Sequence, residues 1–378
     1  MLKILHLDTE GGWGGSSVSL FHIVKNLDKK KFKSVVICRK DGPIINKYKK
    51  INIEAIRLKN LYSYSAKPSI NNFKLFLTTL PDLIFFINGF LKILKIIKKK
   101  KIDLIHLNFE GFFLLGLLIK FFFKIPIVIH YRSTIPYNSF AHKIISTLIV
   151  KYIAEFVIFI SKTEKKKFFK IYPSRKLCRF ETIYNISENK LLNSKKNYLS
   201  KNLVYVGNIS FFKGVDRLLD VAKHLTDTNL KIKIYGETRG ELKFEKLLKE
   251  NINKLKLNNI KLMGRTKKAE KIIQNAFVVL RPSRWNDPWG RDVLDAFNAG
   301  VPCISTGNYN DIIINKKNGF YVKNFDKIKV SELIKKLKKN KKNYFKIRSN
   351  IMRTKKNLLD KKKNIKKIEK VFLECLKK

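Results

Sequence analysis

Two carboxylates beside a predicted helix start are the most chemically suggestive feature of this sequence. Asp287 lies in a polar loop, and Asp295 follows after seven intervening residues, inside the helix that Gly290 is predicted to begin. The first turn of a helix has free N–H groups and partial positive charge, which suit a phosphate. Carboxylates repel phosphate but accept hydrogen bonds from sugar hydroxyls, so the pattern favours a phosphorylated sugar. The alternative is a solvated helix with ordinary surface acids.

Two strands are predicted to position this loop and helix. The apolar run 276–280 predicts a buried strand, and 301–305 predicts the next one. Gly300 is the candidate helix C-cap, and Pro302 prevents continuation of the helix. The loop therefore lies at the carboxyl end of a strand in a βαβ unit, where open α/β sheets bind ligands.

This stretch resembles the signature of glycosyltransferase family four, retaining nucleotide-sugar transferases with the GT-B fold. Asp287, Pro288, Trp289 and Gly290 stand where the family has Glu-Pro-Phe-Gly, and Asp295 stands for its second glutamate. Each aspartate is one methylene shorter than glutamate. The helix must therefore lie closer to the ligand, or a water must bridge the gap.

The segment GNISFFKG resembles a second family motif. Gly207, Lys213 and Gly214 are kept, and Asn208 replaces the diphosphate-binding arginine of the family. Asparagine donates hydrogen bonds but carries no charge, so Lys213 becomes the main cation and Arg291 a candidate replacement. A solvated lysine is the alternative for Lys213.

Three further positions follow from the resemblance. Gly14 and Gly15, in a glycine-rich turn, match the loop that contacts the donor diphosphate; a plain tight turn is the alternative. Gly236 lies in a loop that borders the nucleotide in the family. His130, at a predicted strand end, matches a histidine near the donor sugar and acceptor hydroxyl, although a histidine at such a place is more often structural.

The resemblance implies that electrostatics activate the donor. Lys213, the glycine amides and the N–H groups after Gly290 meet the charge that grows on the leaving nucleoside diphosphate. Asp295 holds the ribose and Asp287 the donor sugar, and the expected catalytic residues are Asp287, His130 and Lys213. The family retains anomeric configuration and needs neither a metal nor a cofactor.

Short β-rich runs alternate with helical runs along the 378 residues, which predicts parallel, Rossmann-like sheets in two α/β domains. The expected GT-B arrangement has an acceptor-side domain at 1–190, a linker at 191–202 and a donor-binding domain at 203–355, with a central cleft between the domains. A final helix, 356–378, is expected to cross back to the first domain. The other predicted strands are 2–8, 32–38, 53–58, 102–107, 125–130, 154–160, 203–206, 231–235 and 260–264.

The run 73–97 is strongly apolar, but Pro81, Asn88, Lys92 and Lys95 interrupt it. Two partly exposed helices are predicted in place of a transmembrane span. With lysines directly after it, this region is a candidate for contact with an anionic membrane surface.

The net charge of +52 attracts polyanions, or it reflects the A/T-rich codons of Lys, Asn, Ile and Phe. Basic residues are spread over the chain without a nucleic-acid motif, so nucleic acid is not expected as a partner. The four cysteines form no CxxC pair, which fits a reducing, cytoplasmic setting, with attachment to the inner face of the plasma membrane as a further option.

The sequence thus predicts a hexosyltransferase that uses a nucleotide sugar and a glycan or lipid-linked acceptor, in cell-surface polysaccharide or lipopolysaccharide synthesis. One alternative is a basic, non-catalytic protein that binds nucleic acid or anionic lipid. Another is a nucleotide-sugar epimerase of the same fold, which would release a changed sugar without any acceptor.

Overall fold

The computed structural model describes residues 1–12, 14–61, 63, 72–132, 140–172, 178–186, 194–238, 241–284, 290–307 and 311–377. The chain divides into two compact units. One comprises Met1–Ile186 together with Lys361–Lys378, and the other comprises Ser187–Asp360. The predicted domain limits at 190 and 355 lie a few residues from these bounds, and the predicted linker contains a helix of the second unit.

Each unit contains one parallel sheet, as the alternation of strands and helices predicts. Among the described residues, the strands are β1 Leu2–Asp8, β2 Phe32–Cys38, β3 Glu54–Arg57, β4 Leu104–Leu107, β5 Ile127–Tyr131, β6 Phe156–Phe159, β7 Arg179–Thr182, β8 Asn202–Val206, β9 Lys231–Tyr235, β10 Ile260–Gly264, β11 Val278–Arg281, β12 Cys303–Thr306 and β13 Phe320–Val322. The predicted strands are all present, with ends that differ by at most two residues. The edge strands β7 and β13 were not predicted.

Helices connect most successive strands; β12 and β13 are joined without a helix in the described residues. In the described part of the chain they are α1 Gly15–Asn26, α2 Pro43–Lys49, α3 Asn72–Lys100, α4 Phe113–Phe122, α5 Phe140–Leu148, α6 Lys162–Ile171, α7 Ser194–Leu199, α8 Arg217–Lys223, α9 Leu242–Lys254, α10 Ala269–Gln274, α11 Arg291–Ala299, α12 Lys327–Lys339, α13 Lys341–Leu358 and α14 Lys361–Glu374.

The order of strands places β1 next to the middle strand, β4, of the first sheet and β8 near the middle of the second. The first sheet has the order β3-β2-β1-β4-β5-β6-β7, and the second has the order β10-β9-β8-β11-β12-β13. In both sheets the order reverses beside these strands, so the neighbouring loops at the carboxyl edge diverge. The strands have apolar side chains on both faces. These side chains are buried because helices cover both faces of each sheet.

The prediction of two helices at 73–97 is wrong, because one helix, α3, continues through Pro81. Phe86, Phe90, Ile93 and Ile97 recur at helical spacing and are buried in the core of the first unit. Burying each of them stabilises the protein by about 1.5–3 kcal/mol. Their sum exceeds the cost of about 3 kcal/mol for proline inside a helix. Within the part of the chain that the structure describes, every helix is too short or too polar to span a bilayer.

The C-terminal helix returns to the first unit, as predicted. Ile365, Ile368, Val371 and Phe372 of α14 are buried in one cluster with residues of β1, β4, β5 and β6. The first unit therefore combines two segments that are distant in the chain, and its core is complete only when α14 has folded onto it.

Candidate functional site

The carboxyl edge of the second sheet contains the start of α11. Gly290 is the N-cap in an extended conformation, with φ −99°, and no described side chain caps the helix. Its first-turn amides are therefore donors for an anionic ligand. The helix ends at Gly300 in the left-handed region, with φ +68°, which confirms the predicted C-cap.

An ion pair fixes the first turn of α11 against strand β11. The Arg281 Nε atom lies 3.0 Å from Asp292 Oδ2, and both side chains are largely buried. A Cβ atom at Gly290 would lie 2.6 Å from Asp292 Oδ1, so any larger residue there would disturb this arrangement. The sequence analysis missed this pair, although a strand-end arginine close to a first-turn acid is a usable signal.

Asp295, the predicted ribose ligand, is buried in the middle of α11. Its Oδ1 atom lies 3.3 Å from Arg291 Nη2, and Arg291 also lies 3.5 Å from Glu270 Oε1. Burial raises the pKa of Asp295 to about 7, against the opposing effect of the Arg291 charge. The guanidinium proposed to replace the missing family arginine is therefore engaged by two carboxylates.

The loop after β8 contains Asn208 and Lys213, two of the residues predicted to bind the donor. Gly207 N donates to Tyr235 O at 3.0 Å, and a Cβ atom on Gly236 would lie 1.8 Å from Gly207 O. Only glycine at 236 allows the ends of β8 and β9 to approach this closely. Asn208 is exposed, and its carbonyl accepts a hydrogen bond from the Tyr205 hydroxyl at 2.7 Å.

The end of this loop rests on the turn that follows β11. Gly214 has φ +66°, and a Cβ atom there would lie 2.1 Å from Pro282 O. The neighbouring Phe212 O accepts a hydrogen bond from Arg284 N at 2.9 Å. Lys213 is half-buried between these contacts, with its amide 3.3 Å from Ser210 Oγ. The backbone thus holds the Lys213 loop against the turn after β11, at the carboxyl edge of the sheet.

Arg284 is a residue of this edge that the sequence analysis missed. Its guanidinium binds both oxygens of Asp216, at 2.6 and 2.5 Å, and lies 3.8 Å from the centre of the Phe211 ring. A cavity of about 440 Å³ lies beside it, lined in part by Arg217 and Lys323. Arg284 therefore stabilises the Lys213 loop, and its basic neighbours make this edge electropositive.

In the first unit, the predicted glycines lie at the start of α1. Gly14 is the N-cap in an extended conformation, and Gly15 is the first helical residue. Gly12 has φ +94°, and a Cβ atom on Gly11 would lie 2.4 Å from the backbone of Asp41. This turn therefore requires glycine upstream of the helix, while residues 14 and 15 contribute their amides to the helix start.

Arg132 connects the carboxyl ends of the central strands of the first unit. Its guanidinium donates from Nε to Asn108 Oδ1 at 3.0 Å and from Nη1 to Asn185 Oδ1 at 2.5 Å. Asn108 in turn donates to Asp8 Oδ1 at 3.2 Å. Burial raises the pKa of Asp8 to about 6, and the hydrogen bond from Ser17 opposes that shift.

His130 lies in this network and is buried, with 2% of its surface exposed. Its Nδ1 atom lies 3.2 Å from His106 Nε2 and 3.5 Å from Arg132 Nη2. Desolvation and the Arg132 charge hold the pKa of His130 well below its usual value. A neutral imidazole at this place is a hydrogen-bonding group, not a source of positive charge.

The predicted residues Asp287, Pro288 and Trp289 lie outside the described residues. The described ones fall into two groups. In the second unit, the start of α11, with Arg291 and Asp295, and the Lys213 loop lie at the carboxyl edge of the same sheet, and the loop contacts the turn after β11. This edge offers N–H donors and a cation for a phosphate, with a carboxyl for hydroxyl groups. Gly14, Gly15 and His130 belong to the carboxyl edge of the first unit.

Comparison with known families gives two matches that together span residues 13–354. Residues 13–186 match the profile of Glycosyltransferase Family 4, and residues 186–354 match that of Glycosyl transferases group 1. No curated protein matched the sequence itself.

Three solved structures give the fold. HepE from Anabaena, in complex with UDP and glucose, has a TM-score of 0.80 and 19% identity over 98% of this chain and 99% of its own. Sucrose-phosphate synthase from Thermosynechococcus elongatus has a TM-score of 0.78 and 15% identity over 99% of both chains. The lipopolysaccharide outer core galactosyltransferase WaaB has a TM-score of 0.63 and 18% identity over 97% of this chain and 98% of its own.

Proposed function

Since this chain belongs to the family-four glycosyltransferases and has their GT-B fold, we propose that it transfers a hexose from a nucleoside diphosphate sugar to an acceptor. The observation that carries the proposal is the carboxyl edge of the second sheet. There the open first turn of α11 lies on the same edge as the Lys213 loop, and Asp295 is buried one turn into the helix.

The proposed mechanism is electrostatic. Cleavage of the sugar–phosphate bond leaves negative charge on a nucleoside diphosphate, which the amides after Gly290 and the ammonium group of Lys213 would stabilise. Asp295 would accept hydrogen bonds from the ribose. From the family resemblance, we assign the amides of Gly14 and Gly15 to the diphosphate as well.

We propose that Asp287 and His130 bind the donor sugar. For Asp287 this assignment rests on the family resemblance alone. The family resemblance also supports retention of anomeric configuration and activity without a metal or cofactor. Transfer that persists in EDTA, with a product whose anomeric configuration by NMR equals that of the donor, is the expected result. Loss of activity in EDTA or an inverted product would contradict these two points.

We propose a glycan or a lipid-linked glycan as the acceptor, in cell-surface polysaccharide or lipopolysaccharide synthesis. The likeness to a lipopolysaccharide galactosyltransferase supports this class of acceptor. We also propose that the enzyme works in the cytoplasm, at the inner face of the plasma membrane.

An apolar surface of the first unit supports the membrane proposal. Ile87 and Leu91 of α3 are 59% and 48% exposed, and Phe121 and Phe122 of α4 are 83% and 56% exposed. The rings of Phe90 and Phe122 lie 5.6 Å apart, so the two helices are in contact there. The last turn of α3 carries three lysines, and each lysine near an anionic membrane contributes about 1 kcal/mol.

Thermal-shift screening against UDP-, GDP- and ADP-sugars tests the proposed function. A ligand at 100 times its Kd stabilises the native state by about 2.7 kcal/mol, which corresponds to roughly 5–10 °C for a unit of this size. The Lys213→Ala variant should lose this shift and its transfer activity, whereas Lys261→Ala, at an exposed position of β10, should keep both.

Three outcomes would contradict the proposal. One is the absence of a shift with any sugar nucleotide, together with salt-dependent DNA binding, which would favour a basic binding protein. Another is release of a changed sugar without any acceptor, which would favour an epimerase. The third is transfer at the wild-type rate by Lys213→Ala, which would remove this residue from the mechanism.

A further inference from the structure

A row of polar side chains crosses four neighbouring strands of the first unit. Ser34 lies on β2, His6 on β1, His106 on β4 and His130 on β5. His6 Nε2 lies 3.1 Å from Ser34 Oγ, His6 Nδ1 lies 3.0 Å from His106 Nδ1, and His106 Nε2 lies 3.2 Å from His130 Nδ1. The three imidazoles are buried, so each hydrogen bond forms away from water.

At the Arg132 end of this row, the direction of the hydrogen bond is fixed. A guanidinium can only donate, and Arg132 Nη2 lies 3.5 Å from His130 Nδ1. The Nδ1 atom of His130 therefore accepts, and the proton of the neutral ring is on Nε2. His106 Nε2 must then donate to His130, which makes His106 Nδ1 the acceptor of the proton on His6 Nδ1. The remaining nitrogen of His6 accepts from the Ser34 hydroxyl.

The surroundings keep the row neutral. The ring of Phe372, on α14, lies 5.5 Å from that of His106 and 6.2 Å from that of His6. Burial lowers the pKa of His6 to about 3 and holds the pKa of His106 well below its usual value. Among the described side chains, the nearby charged groups at the carboxyl end of the row are Arg132, Glu110, which accepts from the Arg132 backbone N–H at 3.1 Å, and, through Asn108, Asp8.

We propose that His6 and His106 are positioning residues that act together with Arg132 to hold His130 in the tautomer protonated at Nε2. In that state His130 donates a hydrogen bond to an oxygen of the sugar or the acceptor and does not serve as a general base. The identity of that oxygen rests on the proposed function, whereas the tautomer depends only on the hydrogen bonds within the first unit.

Long-range ¹H–¹⁵N NMR correlation of ¹⁵N-histidine-labelled protein measures each tautomer without substrate. We expect His130 and His106 to be protonated at Nε2 and His6 at Nδ1, with no imidazolium for the three rings from pH 8 to pH 5.5. The His224→Gln variant, at a site in the second unit, should leave these signals unchanged. A proton on Nδ1 of His130, or an imidazolium at pH 7, would overturn the proposal.

Variants of His106 test its action through His130. In His106→Phe the Nδ1 atom of His130 loses one donor, so His130 should titrate at a higher pH than in the wild type. In His106→Gln the side-chain amide can still donate, so the titration of His130 should return towards that of the wild type. An unchanged His130 titration in folded His106→Phe would contradict the proposal. The wild-type spectrum decides the tautomer even where a variant fails to fold.

Activity gives a second readout once transfer is detected. His106→Phe should lower kcat about tenfold, the size of effect expected for one hydrogen bond, with KM nearly unchanged, and His106→Gln should recover most of the loss. Equal kcat for wild type and His106→Phe would overturn the positioning role. Absence of transfer in the wild type would contradict the proposed function and leave the NMR result standing.

Discussion

At the scale of single residues, the carboxyl of Asp295 is proposed to bind ribose, but its burial in ionised form costs stability. Its carboxyl is buried in α11 and has Arg291 as a neighbour, yet desolvation raises its pKa to about 7. Ionisation, which would strengthen ribose binding, therefore costs the folded protein stability, and the carboxyl is only partly ionised near neutral pH. Such conflicts between stability and ligand binding are common in functional sites.

Replacement of Asp295 by asparagine should make the protein more stable at high pH. The folded pKa lies above the unfolded value of 3.8, so the wild type loses stability as the pH rises from about 4 to 7, and the variant does not. The Tm difference between variant and wild type should grow by roughly 4–8 °C from pH 5.5 to pH 8 and then level off. Calorimetry checks this, and a difference that is constant with pH would contradict it.

Arg284, which was not predicted from the sequence, has a partner that is distant in the chain. Arg284 binds Asp216, 68 positions away, and no local spacing indicates this pair. Gly290 and Gly300 were predictable because helix termini have local signals. The buried histidine row was not predictable, since it depends on the register of parallel strands.

At the scale of elements, glycine in the left-handed region shows which loops are held by close contact. Gly214 has φ +66°, and Pro282 O lies in the way of any side chain there. Gly264 has φ +70°, and no described atom outside its own stretch of chain lies within 4 Å of the place that a Cβ atom would take. An alanine would meet the same backbone strain at both positions, but the two positions differ in packing.

Gly214→Ala should therefore destabilise the protein more than Gly264→Ala. The shared left-handed strain costs about 1–2 kcal/mol, and only Gly214→Ala must also displace the turn at Pro282. Gly214→Ala should also weaken binding of the sugar nucleotide, because Lys213 is adjacent. Urea unfolding and thermal-shift titration measure both effects. Equal losses of stability in the two variants would contradict the close packing of the Lys213 loop against the turn at Pro282.

The membrane hypothesis depends on the exposed apolar residues of helices α3 and α4. Flotation with anionic vesicles at low salt should recover the wild type with the lipid, whereas Phe121→Asp/Phe122→Asp should stay at the bottom of the gradient. The matched control is Leu242→Asp/Leu247→Asp, since these residues of α9 are also exposed. A wild type that does not float, or a control that is lost equally, would contradict a specific membrane face.

The strength of the sequence signals differed among the elements. Central strands have continuous apolar runs, and their predicted bounds are correct within two residues. The edge strands β7 and β13 are short, and β7 has no buried residue, so that signal is weak. The prediction of two helices in place of α3 was wrong because it treated Pro81 as a helix breaker. It did not include the burial of the apolar side chains of α3, which offsets the cost of the proline.

At the scale of the whole molecule, helix α14 completes the core of a unit whose strands all come from the first half of the chain. Phe372→Ala should cost about 3–5 kcal/mol, because the ring is fully buried. Leu373→Ala, at a neighbouring position that is 40% exposed, should cost much less. Similar urea midpoints for the two variants would contradict this packing.

The two-unit architecture followed from the alternation of strands and helices, and the family from a few motif residues. The net charge of +52 did not indicate a function, since basic residues occur on every part of the chain. Composition constrains a fold less than the order of its elements does, and the chemistry depends on contacts that only the folded chain contains.

The central claim is that a nucleoside diphosphate binds at the start of α11 beside Lys213. A crystal structure of the protein soaked with UDP-, GDP- and ADP-sugars tests it most directly. We expect diphosphate oxygens within about 3 Å of the first-turn amides of α11, with the Lys213 ammonium group in contact. A structure in which the nucleotide binds elsewhere, or in which none of these sugars binds, would contradict it.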